Sequence, residues 1–326
     1  MRPTPTRLAV AAAMFALAGC GNAGPPSPPA AGPTASAPVA SALPSRAPGA
    51  LPADSIKVSL GGETNGVSVC AGSVWVAVHT EATDSVAQVD PVAGKVLGSI
   101  DGATNSACFA GEPWAAVSGT AIQHINPATR SAIAKVPLEA FYVGAAAGSI
   151  WAPSHHDVVR IDPKTAGVVA TIHVSDENDV TEVEGDDHAI WATVKERNSI
   201  YRIDPVSNKV VATIEGGGFA HGILVQPSAI WISNAHQNTI TRIDPATNAT
   251  VTIKDLGGGV GLAEGGGYVW ASTRLDVFRI DPATNEATMV VRVGGWPYGI
   301  GYLNDVLWVV DGTDAVYGIP IAELLP

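Results

Sequence analysis

Residues 222–253 read GILVQPSAIWISNAHQNTITRIDPATNATVTI, and this stretch decides the fold. Gly222 to Val225 is a short run of small and apolar residues, and Ala229 to Ser233 is a second run centred on Trp231. Thr239-Ile240-Thr241-Arg242-Ile243 alternates polar and apolar with the period of two that a half-buried strand requires. Asp244-Pro245-Ala246-Thr247-Asn248 then breaks the pattern. An Asp side chain bonds the backbone two residues on, Pro presets φ for the turn, and Asn tolerates the left-handed conformation that closes it. Ala249 to Ile253 resumes the alternation. The stretch therefore predicts four consecutive antiparallel strands.

The same unit recurs along the chain. Tryptophans stand at 75, 114, 151, 191, 231, 270 and 308, at spacings of 39, 37, 40, 40, 39 and 38. Every one of them but the last is followed by a turn marker: Asp90-Pro91, Asn126-Pro127, Asp162-Pro163, Asp204-Pro205, Asp244-Pro245 and Asp281-Pro282. Residues 54–326 number 273, or seven units of 39. Seven four-stranded units of this length predict an all-β, seven-bladed β-propeller. The ends favour a closed ring over an open stack. The last unit lacks a fourth strand, while Ile56-Lys57-Val58-Ser59-Leu60 has strand character and no unit of its own. Residues 56–60 are predicted to pair into the last blade, which removes two exposed sheet edges. The seven repeating tryptophans are then inter-blade core.

The N-terminus differs from this body. Arg2 and Arg7 precede an apolar run from Leu8 to Leu17, too short to cross a bilayer as a helix. The run ends in Leu17-Ala18-Gly19-Cys20, which resembles a bacterial lipobox. The expected organisation is a signal peptide over 1–19 and acylation of Cys20, for example with palmitate. A Pro/Ala-rich stalk over 20–53 and the propeller over 54–326 follow. Nine prolines in 21–53 keep the stalk extended, and its composition gives it nothing to fold around. A lipoprotein anchored on the extracytoplasmic face of the cell membrane, and monomeric, is the expectation. With a net charge of −12 and no basic cluster, no nucleic-acid partner is expected. Cys70 and Cys108 fall in matching strands of adjacent units. In an exported protein such a pair favours a disulfide, the alternative being two buried thiols.

Function is sought on the face where each innermost strand is entered. Counting ten residues back from each repeating tryptophan gives Asn65, Thr104, Phe141, Thr181, His221, Val260 and Tyr298, with Glu182 one residue further in. The loops between the second and third strands share this face and carry His155, His156, Lys195, Arg197, His236, Arg274 and Asp311, among others. Trp296 breaks the 39-residue pattern and lies in Gly294-Gly295-Trp296-Pro297-Tyr298, which makes it a ligand candidate. No HExxH or CxxC spacing is present, and the glycine runs lack the Lys of a phosphate loop, so the residues themselves imply no cofactor. The expected binding residues are Asn65, Phe141, His155, His156, His221, Arg274, Trp296, Tyr298 and Asp311.

The phrases Tyr201-Arg202-Ile203-Asp204-Pro205-Val206-Ser207-Asn208-Lys209-Val210-Val211-Ala212-Thr213-Ile214 and Thr241-Arg242-Ile243-Asp244-Pro245-Ala246-Thr247-Asn248 resemble the YVTN-type repeat propellers. The lead-ins His221-Gly222-Ile223 and Tyr298-Gly299-Ile300, each followed by a Trp strand, resemble streptogramin B lyase and its relatives. That resemblance implies elimination chemistry on a cyclic depsipeptide with a divalent cation such as Mg²⁺. Lead-in histidines of two adjacent blades and a glutamate after a Trp strand would carry it. His221 stands at one of these positions, while Val260 and Thr273 stand at the other two, and Asn234 follows the Trp strand in the blade of His221. Two readings follow. One is a displayed module that binds a small molecule, cell-wall component or protein on its loop face. The other is a lyase-like enzyme using His221 with substitute partners such as His236, Glu182 or Asp311.

Overall fold

The computed structural model describes residues 49–194, 199–216, 220–258, 261–296 and 298–325. The leader, Cys20 and most of the Pro/Ala-rich segment lie outside the described residues, as do Lys195, Arg197 and Val260.

The chain is a seven-bladed β-propeller of four-stranded antiparallel sheets. Blade 1 comprises Glu63–Cys70, Ser73–His79, Asp84–Asp90 and Lys95–Asp101, and blade 2 comprises Ala103–Phe109, Glu112–Val117, Ala121–Ile125 and Ala132–Pro137. Blade 3 comprises Gly144–Ala146, Ser149–Ser154, Asp157–Asp162 and Gly167–His173. Blade 4 comprises Val180–Gly185, Ile190–Val194, Ser199–Asp204 and Lys209–Glu215. The opening stretch forms blade 5, with Ala220–Gln226, Ala229–Asn234, Thr239–Ile243 and Thr250–Ile253. Blade 6 comprises Leu262–Gly265, Tyr268–Ser272, Asp276–Ile280 and Ala287–Arg292. Blade 7 takes Ile300–Leu303, Val306–Val310 and Ala315–Pro320 from the C-terminus, and its fourth strand is Ile56–Ser59. Ile56 lies opposite Gly318 and Ser59 opposite Ala315, as the unpartnered N-terminal strand predicts. Among the described residues, the only helical turn is Ile321–Glu323.

The turns take the form that their sequence dictates. The Asp244 carboxylate accepts the Ala246 N–H at 2.8 Å and the Thr247 N–H at 3.1 Å. Asn248 closes the turn at φ 59°, its N–H on the Asp244 carbonyl.

Seven hydrophobic clusters, one per seam, join the blades. An open stack of seven units would have one seam fewer. All seven repeating tryptophans are at most 1% exposed and sit in these seams. The indole N–H is the one polar atom such a side chain must satisfy. Trp75, Trp151 and Trp270 donate it to the carbonyls of Cys70, Ala146 and Gly265, at 3.1, 2.9 and 2.9 Å. Cys70 and Cys108 form a disulfide, with their Cα atoms 5.2 Å apart, and so staple the innermost strands of blades 1 and 2.

Gly49 bridges Val291 of blade 6, and Leu51 packs against the core between blades 6 and 7. The backbone bridge and the Leu51 contact bring residues 49–51 onto the propeller wall.

Candidate functional site

The seven innermost strands surround a central channel, and four of them bulge at its mouth. Thr104, Thr181 and His221 are each an extra residue in the first strand of their blade, opposite no partner in the second. In blade 1 the extra pair is Asn65-Gly66 opposite Ala77. A bulge re-aims the residue it expels from the ladder. Here His221, Asn65 and Thr104 are turned into the mouth, where a cavity of about 610 Å³ opens.

Of the residues singled out in the sequence, Asn65, Thr104, His221, His236, Arg274, Trp296 and Tyr298 line this cavity. Trp296 is 46% exposed, in contrast to the seven buried tryptophans. The Arg274 guanidinium lies over its ring, 4.4 Å from the centroid, and Tyr298 stacks beside it at 6.1 Å. The clamp is held by backbone. The Trp296 N–H donates to the Asp311 carbonyl at 2.7 Å. Gly295 and Gly312, both at positive φ, let the two loops touch where a Cβ would collide with the facing carbonyl.

Four expected binding residues lie elsewhere. Phe141 is exposed, its ring against Gly119, and its neighbour Tyr142 lines the cavity instead. His155 pairs with Glu139 at 3.1 Å on the surface, and His156 meets the Asn178 carbonyl at 3.2 Å through Nδ1. Asp311 spends its carboxylate on the N–H groups of Thr313, Asp314 and Ala315, at 2.9, 3.0 and 3.0 Å. Its role here is to shape the loop that carries Trp296.

Below the mouth, Glu182 and Glu184 line the channel together with Tyr142 and His221. Residues i and i+2 of a strand share a side, which brings both carboxyls to the channel from the strand Val180–Gly185. Burial pushes both carboxyls up, to about 8, and the charge of Glu182 adds to the effect at Glu184. Tyr142 is raised well above the ordinary phenol value, first by the Glu182 charge and then by burial. His221 is lowered, first by the desolvating walls of the mouth and then by His236. At neutral pH the channel floor thus carries protonated carboxyls and the mouth a neutral imidazole.

Tyr142, Asn105 and Glu184 were not marked by the sequence reading. The alternation Glu182-Val183-Glu184 was the signal available for Glu184.

A divalent cation, implied by the lyase resemblance, finds no fitting ligand set. His221 and His236 line the mouth with Thr273, a weak donor, and with Glu63 as the one carboxylate of that lining, while Glu182 and Glu184 line the channel that His221 also reaches. Among the described residues, no three His, Cys, Asp or Glu side chains are grouped to hold a metal ion.

No family model and no curated protein matches the sequence. Many solved structures match the fold. The Neurospora crassa Pan2 WD40 domain aligns over 84% of this chain and 98% of its own, with a TM-score of 0.66 and 8% identity. A chain of the mitotic checkpoint complex aligns over 86% and 99%, with a TM-score of 0.70 and 9% identity. The RRP9 WD40 repeats align over 83% and 99%, with a TM-score of 0.69 and 10% identity. At such identities the likeness establishes the seven-bladed propeller fold alone.

Proposed function

We propose that this chain is a surface-anchored lipoprotein whose propeller binds a small ligand bearing a planar ring at the mouth of its channel. The observation that carries this reading is the exposed Trp296, set between Arg274 and Tyr298 on the rim of a cavity of about 610 Å³. Cavities of roughly 300–1,000 Å³ suit small molecules, with aromatic walls for area and a few polar groups for orientation. Asn65, Asn105 and Thr104 supply neutral donors and acceptors, and Arg274 favours an anionic or carbonyl-bearing substituent.

Trp296 is the one exposed tryptophan of eight, so its fluorescence reports the mouth. Titration with aromatic carboxylates and aromatic-capped peptides is expected to shift the emission of the wild-type chain and leave that of Trp296→Ala unchanged. A shift that persists in Trp296→Ala places binding elsewhere and overturns the proposal. The anchor has its own test. Cys20→Ser is expected to abolish incorporation of labelled palmitate and to release the protein from the membrane fraction. Retention of the label excludes Cys20 as the acylation site.

One observation favours a second reading. His221 and His236 line the same wall of the cavity, as a lyase-like acid–base pair would. Incubation with a type B streptogramin and Mg²⁺, followed by mass spectrometry, distinguishes the two. A ring-opened product that disappears in His221→Ala identifies a lyase, and intact substrate leaves the binding reading in place.

A further inference from the structure

On the face opposite the mouth, the seams between blades carry a repeated joint. Each repeating tryptophan lies opposite one residue of the third strand: Gln88, His124, Arg160, Arg202, Arg242, Arg279 and Gly318, in blade order. In blades 3, 4 and 5 this residue is Arg, and its guanidinium lies 5.1, 5.4 and 5.4 Å from the indole centroid. The same guanidinium then crosses to the turn of the next blade. Arg160 donates to the Pro205 carbonyl and to Asn208 Oδ1 at 3.0 Å. Arg202 donates to the Pro245 carbonyl at 2.8 Å and to Asn248 Oδ1 at 3.1 Å. Arg242 donates to Asn285 Oδ1 at 3.3 Å. The seam between blades 1 and 2 reverses the joint, with Arg130 of the turn donating to Gln88 Oε1 at 3.0 Å.

The seam between blades 2 and 3 has neither half of it. His124 stacks on Trp114 with centroids 4.7 Å apart and planes within 3°, so an imidazole takes the place of the guanidinium over the indole. It is too short to cross, and its Nε2 meets Glu112 of its own blade at 2.7 Å. The facing turn carries Ala166, at φ 52°, where the turns of blades 4, 5 and 6 place Asn and that of blade 2 places Arg130. Among the described residues no side chain donates to the Pro163 carbonyl, the counterpart of the Pro205 and Pro245 carbonyls. A cleft of about 620 Å³ opens in this gap. Its flat walls are the Phe109 ring and the His124 imidazole that covers the buried Trp114, and the half-exposed Glu112 carboxylate stands at its edge. Arg160 on the far wall commits its Nε to Ser149 and its Nη1 to Pro205 and Asn208. What the gap presents is therefore acceptors: the Pro163 carbonyl, and the carboxylates of Glu112 and Asp162, which on their inner sides hold His124 and the Lys164 N–H.

The geometry points to this cleft as a binding site for one external guanidinium group, which completes from outside the joint that neighbouring seams build from their own arginines. The group comes from an arginine side chain of a peptide or from a small arginine-like solute. Guanidinium is specified over ammonium because the neighbouring joints use its planar face and edge together, and here Phe109 and the outer face of His124 offer the ring surface beside the Pro163 carbonyl. Lys164 at the rim and the Nη2 of Arg160 are the groups that would instead admit a carboxylate.

Calorimetry on the intact chain tests the site with four probes: N-acetyl-arginine amide, agmatine, N-acetyl-lysine amide and acetate. Binding of either guanidinium probe at least tenfold tighter than of the lysine probe and acetate is expected, and the stronger of the two identifies peptide or solute as the source. The double substitution His124→Arg with Ala166→Asn installs the internal joint and fills the cleft. It is expected to weaken guanidinium binding at least tenfold while raising the Tm. Glu112→Lys, at an exposed position, tethers a competing cation there and is expected to weaken binding without unfolding. Absence of guanidinium binding, equal binding of lysine, preference for acetate, or binding unchanged in both variants overturns the site.

Discussion

Glu182 and Glu184 carry the clearest pH dependence in the molecule. Their carboxyls sit at about 8 in the fold because burial disfavours the charged form. In the unfolded chain they titrate as ordinary glutamates. Between about pH 4.5 and 8 the folded state therefore holds more protons than the unfolded one, and stability falls as pH rises. The loss is at most about 1.4 kcal/mol per pH unit for each carboxyl, reduced by the partial exposure of Glu184 to the channel. Urea unfolding from pH 5 to 9 is expected to show a downward slope that flattens above 8, and Glu182→Gln/Glu184→Gln is expected to remove most of it. A slope unchanged in that variant would assign the pH dependence to the acidic surface. At this scale the sequence was legible where backbone geometry was regular. Counting ten residues from the tryptophan lands on the expelled residue of the bulge in blades 1, 2, 4 and 5. Blade 3 has a three-residue first strand and no recorded bulge, so the count falls one short, on Phe141 instead of Tyr142. A bulge is a local backbone event that side-chain periodicity does not encode.

At the scale of the blade, strand order and turns could be read directly, because alternation and Asp-Pro-x-x-Asn turns are local. Thr239–Ile243 is the predicted strand residue for residue. The Arg–Trp–turn joint was not read, because it links residues 43 to 48 positions apart, across a seam whose geometry no single repeat specifies. Arg202 shows what the joint contributes. Its guanidinium combines a stack on Trp191 with charge-assisted bonds to Pro245 and Asn248, in a half-buried position. Arg202→Ala is expected to cost about 1–3 kcal/mol in urea unfolding, and Arg202→Lys to recover less than half, since an ammonium cannot stack and fork together. Full recovery with Lys would reduce the joint to a simple charge contact. The disulfide makes a comparable contribution by another route. Closing a 38-residue separation restrains the unfolded chain, and its reduction is expected to cost about 4 kcal/mol by the chain-entropy model.

For the whole molecule, the decisive interaction is the one that joins the ends. Blade 7 is complete only when Ile56–Ser59 lies along Ala315–Pro320. Val58, 4% exposed, enters a core shared with Trp308, Val310 and Val316 and with Val74 and Val76 of blade 1. The Leu60 N–H on the Asp314 carbonyl and the Gly61 N–H on the Asp314 carboxylate fasten its end, at 2.7 and 2.8 Å. A ring closed in this way depends on the strand being present, not on which terminus supplies it. Val58→Asp buries an unpaired charge and is expected to cost at least about 3 kcal/mol, while Ser59→Asp, at an exposed position of the same strand, is expected to cost under about 0.5 kcal/mol. A circular permutant separates closure from mere packing. A chain starting at Glu63, with residues 54–62 moved behind Leu325 through a flexible linker, keeps every pairing of blade 7. It is expected to melt cooperatively within a few degrees of the parent, whereas the same chain without residues 54–62 is expected to lose cooperativity. Equal stability of the truncated and permuted chains would mean that the seven seams hold without the clasp, and that the N-terminal strand covers an edge without closing a ring.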